Sequence, residues 1–123
     1  MKNYFNLFGC CDKLFITLII FIVIDYITGI LRAIYNKELN SRIGAKGIIK
    51  KVGYIFIVII SSLLDNLLGS HEKIRSLIIY MFIANEGISI LENWAKMGIK
   101  IPKFLKDKFN SLNKTDDNNN KDS

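Results

Sequence analysis

The stretch FIVIDYITGIL, residues 21–31, decides how this chain is organised, because it places the carboxylate of Asp25 inside an otherwise apolar run. The run extends over residues 14–31 and holds eighteen residues with that single charge. A helix needs about 20 predominantly apolar residues to cross the hydrocarbon core of a bilayer. The stretch therefore predicts a first membrane span over residues 14–34, with Asp25 near the middle of the membrane.

Two further apolar runs follow. Residues 52–69, VGYIFIVIISSLLDNLLG, predict a second span, and residues 76–94, SLIIYMFIANEGISILENW, predict a third. The short polar segment SHEKIR joins them, and Trp94 is an aromatic residue suited to the membrane interface. The third span is the most polar of the three. The predicted fold is therefore an all-α membrane protein with about three transmembrane helices.

The composition agrees with a chain in which charge and apolar residues are separated. Of 123 residues, 50% are hydrophobic and 23% are charged, with a formal net charge of +6. A net charge of this sign is compatible with nucleic acid or with an anionic membrane surface. The basic residues lie beside the apolar runs without interleaved aromatic residues, so we do not expect nucleic acid as a partner. Cys10 and Cys11 are adjacent, which does not favour a disulfide scaffold or a zinc site.

The segments between and after the spans are basic. Residues 32–51 carry six basic residues and one acid, and Gly44 and Gly47 predict that no simple helix continues through them. After Pro102, apolar residues recur at helical spacing, which predicts a basic amphipathic segment on anionic lipid headgroups or, alternatively, a partly ordered stub. The basic residues expected at the lipid surface are Arg42, Lys46, Lys50, Lys51, Lys103, Lys106 and Lys108.

The last eleven residues, NKTDDNNNKDS, are too polar to bury a surface. We therefore expect a membrane domain over residues 1–112 and a disordered polar tail over residues 113–123. Basic residues outside the spans are divided 13 to 4 in favour of the side that holds the first loop and the C-terminus. By the positive-inside rule, this predicts an N-terminus outside and a C-terminus in the cytoplasm.

Each predicted span carries an acid: Asp25, Asp65 and Glu86. An ionisable residue near the bilayer centre costs roughly 2.5–3.5 kcal/mol on insertion scales, and it usually faces protein or water. Two interpretations are open: polar stripes hidden inside one three-helix bundle, or stripes that pair many copies and later face water. The candidate residues for helix association or for lining a hole are Asp25, Gly29, Ser61, Asp65, Asn85, Glu86, Gly87, Ser89 and Glu92.

We expect no catalytic residues, no metal site and no cofactor, and so no enzyme. The single histidine, His71, lies in the polar segment beside Glu72, and the serines have no His or Lys partner at a recognisable spacing. No glycine-rich loop resembles a phosphate-binding motif.

Three motifs carry a resemblance to a known family. They are DYITG from Asp25, SRIGAKGIIKK from Ser41, and NEGISILEN from Asn85 followed by GIKIPKFLK. With them, roughly residues 20–108 resemble the toxin secretion/phage lysis holin family. The resemblance implies an oligomeric protein of the bacterial cytoplasmic membrane that forms timed holes. These holes would release an endolysin, and so lyse the host cell, or release a toxin.

The resemblance also implies the partners. They are the lipid bilayer, further copies of the chain in a large homo-oligomer, and an endolysin or exported toxin that needs no direct contact. An antiholin is a further candidate partner. Two alternative functions share this topology: an antiholin or regulatory partner that makes no holes, and a non-lytic membrane subunit for protein export.

Overall fold

A computed structural model of the chain describes residues 13–38 and 41–121, with side chains described for 13–38 and 44–112. These residues form four α-helices: α1 (Lys13–Tyr35), α2 (Ser41–Leu68), α3 (Lys73–Lys96) and α4 (Lys103–Lys121). The predicted all-α class is confirmed. Cys10 and Cys11 lie outside the described residues.

Three of the helices are long and apolar enough to cross a membrane. They cover Lys13–Tyr35, Gly44–Leu68 and Lys73–Lys96, with mean hydropathies of 2.6, 1.9 and 1.5. The third is the least apolar, as the sequence predicts. It also holds the largest share of buried residues, because it packs against each of the other helices, whereas α1 and α2 touch along only a short stretch.

The core lies between α1, α2 and α3. Leu18, Val58 and Ile79 are fully buried in it, and Phe82 stacks on the ring of Tyr54 with centroids 4.1 Å apart and ring planes 13° apart. Each helix contributes one apolar face to this cluster. The opposite faces expose large apolar side chains such as Ile49, which is 70% exposed, as suits helices surrounded by lipid.

The basic segment before the second span is helical, contrary to the predicted interruption. α2 begins at Ser41, and Gly44 and Gly47 lie inside it. A Cβ atom on Gly44 would lie 3.4 Å from the hydroxyl of Tyr26, and one on Gly47 would lie 3.5 Å from its ring. The Tyr26 side chain of α1 thus packs beside both glycines of α2. Glycine lowers helix propensity by about 1 kcal/mol per residue, and tertiary packing overrides that preference here.

The C-terminal helix also differs from expectation. Instead of lying apart on the membrane surface, α4 packs against α3. It remains helical to Lys121, whereas the sequence predicts a disordered tail from residue 113. Once a helix has formed, each added residue gains a backbone hydrogen bond, so helical conformation can extend beyond the packed residues. The last two residues of the predicted tail lie outside the described part of the chain.

Candidate functional site

Three charged side chains from three helices meet inside the bundle. The ammonium group of Lys51 on α2 donates to Asp25 Oδ2 of α1 at 2.7 Å and to Glu86 Oε2 of α3 at 2.9 Å. The side chains of Lys51 and Asp25 are each 12% exposed, and that of Glu86 is 3% exposed. We call Asp25, Lys51 and Glu86 the ion cluster. With all three groups ionised, it carries a formal charge of −1.

The ion cluster lies at one level of the bundle. Asp25 precedes the end of α1 by ten residues, Lys51 follows the start of α2 by ten, and Glu86 precedes the end of α3 by ten. At 1.5 Å per residue, each group is about 15 Å from its helix end, which is about half the thickness of a bilayer core. The three groups therefore meet at one level of the bundle, next to the start of the apolar run of α2 at Val52.

An amide and a hydroxyl group complete the surroundings of Asp25. Asn93 Nδ2 donates to Asp25 Oδ1 at 3.3 Å and to Thr28 Oγ1 at 3.0 Å. The Thr28 hydroxyl donates to the carbonyl of Ile24 at 2.8 Å. Gly29 lies beside Asn93, where an added Cβ atom would be in ordinary contact with Nδ2 at 3.7 Å. Both Asn93 and Thr28 are buried. The ion cluster is therefore one end of a polar network that joins α1 to α3.

This network corrects the stripe expected on α3. Asn85 and Glu92 are exposed and Ser89 is half-buried; besides Arg75 near the start of α3, the buried polar residues of this helix are Glu86 and Asn93. Those two are seven residues apart, which is two helical turns, so they share one face. The stripe expected on α3 holds Asn85, Ser89, Glu92 or Asn93, and Lys96, with Glu86 and Gly87 at its edge. The structure places Glu86 and Asn93 in the network and leaves Asn85 and Glu92 outside it. The i, i+7 spacing of Glu86 and Asn93 is the sequence signal that selects Asn93 over Glu92.

Lys51 is the second correction, because the charge pattern assigns it to the lipid surface. The structure places it among the buried acids, since α2 is already helical there and turns Lys51 towards α1 and α3. The side chain of Arg42 lies outside the described side chains. The other basic residues expected at the surface are exposed: Lys46, Lys50, Lys103, Lys106 and Lys108.

Asp65 lies apart from the ion cluster and has a different role. Its carboxylate accepts hydrogen bonds from the Ser70 hydroxyl, from the Ile74 amide at 3.0 Å and from the Arg75 amide at 2.8 Å. It therefore caps the N-terminus of α3 from across the turn, satisfying amides that have no partner within the helix. The Ser61 hydroxyl, one turn earlier, donates to the carbonyl of Ile57 at 2.8 Å in its own helix. The structure does not bring these two candidates to the site of Asp25 and Glu86.

Gly87 adjoins the ion cluster but contacts α4. A Cβ atom there would lie 2.6 Å from the ring of Phe109, so that ring rests directly on the α3 backbone. The same ring meets Phe21 of α1 edge-on, with centroids 5.8 Å apart and planes at 76°. Gly87 is thus a packing position for α4. Across the described residues, no three His, Cys, Asp or Glu side chains are placed to hold a metal ion.

Comparison with known sequences identifies the family. A sequence model of the bacteriophage holin family matches residues 3–114. A probable holin of Bacillus phage phi105 is 34% identical over 95 residues, covering 77% of this chain and 70% of the phage protein. No solved structure matches.

Bacterial relatives are more similar in sequence. The uncharacterized protein Lmo0128 of Listeria monocytogenes is 47% identical over 100 residues, covering 81% of this chain and 71% of its own length. An uncharacterized 14.9 kDa protein from the nagH 3′ region of Clostridium perfringens is 44% identical over 108 residues, covering 87% and 82%. Together with three helices able to cross a bilayer, the match over residues 3–114 shows that this chain is a multi-pass membrane protein of the bacteriophage holin family.

Proposed function

We propose that this holin-family protein accumulates in the bacterial cytoplasmic membrane and, at a critical density, assembles with further copies of itself into holes. The holes release an endolysin, which then lyses the host cell. The observation that carries this proposal is the ion cluster, in which two largely buried carboxylates share one ammonium group between three helices able to cross a membrane. An ion cluster of this kind is stable inside a closed bundle and stable in water, but it is not stable where it faces lipid.

The energetics of the ion cluster favour a switch between two states. Two unit charges 4 Å apart attract by about 4 kcal/mol at an effective dielectric constant of 20, but by about 1 kcal/mol in water. In lipid, the cluster therefore holds Asp25, Lys51 and Glu86 together. When neighbouring copies bring water to these faces, the attraction falls and each charged group is hydrated instead. Hydration at one copy lowers the cost of opening the next, so hole formation is abrupt.

The membrane potential restrains the opening. Moving one elementary charge across 100 mV is worth about 2.3 kcal/mol, and the cluster holds three charged groups. A sudden loss of potential removes this restraint from all copies at once. We therefore expect an energy poison to trigger holes before the normal time.

Inducible expression in a Gram-positive host tests the proposal. We expect respiration and membrane potential to continue, then stop abruptly, and a co-expressed cytoplasmic endolysin to lyse the cells only after that stop. Expression without endolysin is the control and should kill without lysis. A gradual slowing of growth without abrupt loss of potential would refute hole formation, and a delay imposed on a second holin would instead indicate an antiholin.

We further propose that the N-terminus lies outside and the C-terminus in the cytoplasm. The support is the 13 to 4 division of basic residues together with three helices able to span the membrane. A membrane-impermeant thiol reagent should label Cys10 and Cys11 in intact protoplasts before triggering. Labelling only after permeabilisation would show the opposite orientation.

A further inference from the structure

The Phe109 side chain of α4 touches two other helices at once. Its ring rests on the backbone of Gly87 in α3, where an added Cβ atom would lie 2.6 Å from the nearest ring carbon, and it meets the Phe21 ring of α1 edge-on. Leu112, about one turn further along α4, packs against the core between α1, α2 and α3. The side chains of α4 are therefore joined to α1 as well as to α3.

The Phe109 contact lies beside the ion cluster. Gly87 directly follows Glu86 in α3, and Phe21 precedes Asp25 in α1 by four residues, which is about one helical turn. The ring therefore meets each of the two helices within about one turn of the acid that the helix contributes. The structure shows this contact together with the closed ion cluster, so both belong to the same state of the bundle.

Two links thus hold α1 against α3 around Asp25. On one side, the Asn93 amide of α3 donates to the Thr28 hydroxyl of α1 at 3.0 Å. On the other side, the Phe109 ring lies between the two helices. When α1 and α3 move apart at this level, the ring must lose its contact with at least one of them. A contact that is present in the closed bundle and is lost on separation favours the closed bundle.

We infer that α4 is a clasp on the closed bundle: the Phe109 ring holds α1 and α3 together beside the ion cluster and so lengthens the delay before holes form. The inference rests on the proposed hole-forming function. It requires no second position of α4, because separating α1 from α3 breaks one side of the ring contact even while α4 keeps the other. An edge-on aromatic pair shifts an equilibrium by about two- to tenfold. A shift of this size should change the trigger time without preventing accumulation.

Phe109→Ala tests the inference, with Phe104→Ala as the matched control. Both substitutions remove a phenyl ring from α4, but the Phe104 side chain is 66% exposed, and its ring adjoins the Lys108 ammonium group of the same helix at 5.1 Å. Trigger time is measured as the abrupt loss of membrane potential, against the amount of protein in the membrane. We expect Phe109→Ala to trigger earlier and at a lower membrane protein level than the wild type, and Phe104→Ala to keep the wild-type time.

Gly87→Ala disturbs the same contact from α3. The added methyl group would collide with the Phe109 ring, whereas a Cβ atom on Gly53 of α2 meets nothing within 4 Å. Gly53→Ala raises helix propensity alike and is the control. We expect Gly87→Ala to trigger early and Gly53→Ala to trigger as the wild type does. In the double variant of Gly87→Ala and Phe109→Ala, the methyl group meets no ring, so triggering should be no earlier than in Phe109→Ala alone. Advances that add together would overturn the inference, because the two positions would then act separately.

The other outcomes are decisive as well. Wild-type timing in Phe109→Ala at equal abundance would show that the ring does not hold the bundle closed, and later triggering would show that the ring is needed for the hole. If Phe109→Ala does not accumulate, Phe109→Leu, which keeps an apolar side chain but loses the aromatic pair, is judged by the same criterion. Each contrary result overturns the inference while the wild type still collapses the membrane potential. A wild type that never collapses the potential would instead remove the proposed function, and the inference with it.

Discussion

Replacing Lys51 by Met tests the ion cluster most directly. Methionine keeps a long unbranched side chain but removes the ammonium group that bonds to Asp25 and Glu86. Removing one partner of a buried ion pair typically costs about 3–5 kcal/mol. The Lys51 side chain retains 12% exposure, which favours the lower end of that range. A cost of about 3 kcal/mol corresponds to a shift of about a hundredfold in the balance between the closed bundle and the open state.

Whether triggering becomes earlier or later depends on which state, the closed bundle or the hydrated hole, the substitution destabilises. In the closed bundle, two carboxylates would face each other without a counter-charge, whereas in a hydrated hole both are solvated with or without Lys51. We therefore predict that Lys51→Met triggers earlier and at a lower membrane protein level than the wild type. Trigger time is measured as the abrupt loss of membrane potential, with quantitative immunoblots of the membrane fraction.

Lys50→Met is the matched control, because Lys50 is adjacent in α2 but exposed. It removes the same charge from the chain and should trigger close to the wild-type time. A triple variant, in which Lys51→Met is combined with Asp25→Asn and Glu86→Gln, removes the uncompensated charge and should restore late triggering. Wild-type or later triggering of Lys51→Met at equal abundance would refute the role given to the ion cluster.

Substitutions at Asp25 and Asp65 separate the roles of these two acids. Asp25→Leu should insert and accumulate but trigger late or never, because it removes a polar group from the face that becomes hydrated. Asp25→Asn keeps a polar group, which is worth about 1 kcal/mol in helix contacts, and should only shift the trigger time. A Leu variant that triggers on the wild-type schedule at equal abundance would contradict this. Asp65→Ala removes the cap on the Ile74 and Arg75 amides and should destabilise the bundle by about 2 kcal/mol, seen as lower accumulation. Asn66→Ala, at an exposed neighbouring position, is its control and should accumulate normally.

The helices that span the membrane could be read from the sequence, because lipid demands long apolar runs whatever their neighbours are. The sequence also shows an acid in each run. It does not show the partner of Asp25 and Glu86, because Lys51 lies in a segment whose charge alone suggests a solvated loop. In the structure α2 already begins at Ser41, packs against Tyr26 at Gly44 and Gly47, and turns Lys51 inwards.

The roles of individual polar residues depended on register and on contacts distant in sequence. Glu92 and Asn93 are adjacent, and a rotation of one residue decides which of them faces Asp25. Asp65 caps a helix that begins eight residues later, across a turn in which His71 and Glu72 adopt left-handed backbone angles. Hydropathy patterns do not carry this information, because they describe the faces of a helix and not the residues opposite them.

The central position of α3 sets the order in which each copy is completed during synthesis. α1 and α2 leave the ribosome first, yet they touch along only a short stretch, and Asp25 and Lys51 then have only each other. Glu86, Asn93 and most of the core arrive with α3, which translation delivers seconds later at about 5–20 residues per second. The nascent chain therefore enters the membrane as one hairpin of two loosely associated helices, α1 and α2. It becomes a closed bundle only when α3 inserts. A ribosome that stalls before residue 86 leaves a fragment with Asp25 and Lys51 of the ion cluster but without Glu86 and without the complete helix that closes the bundle.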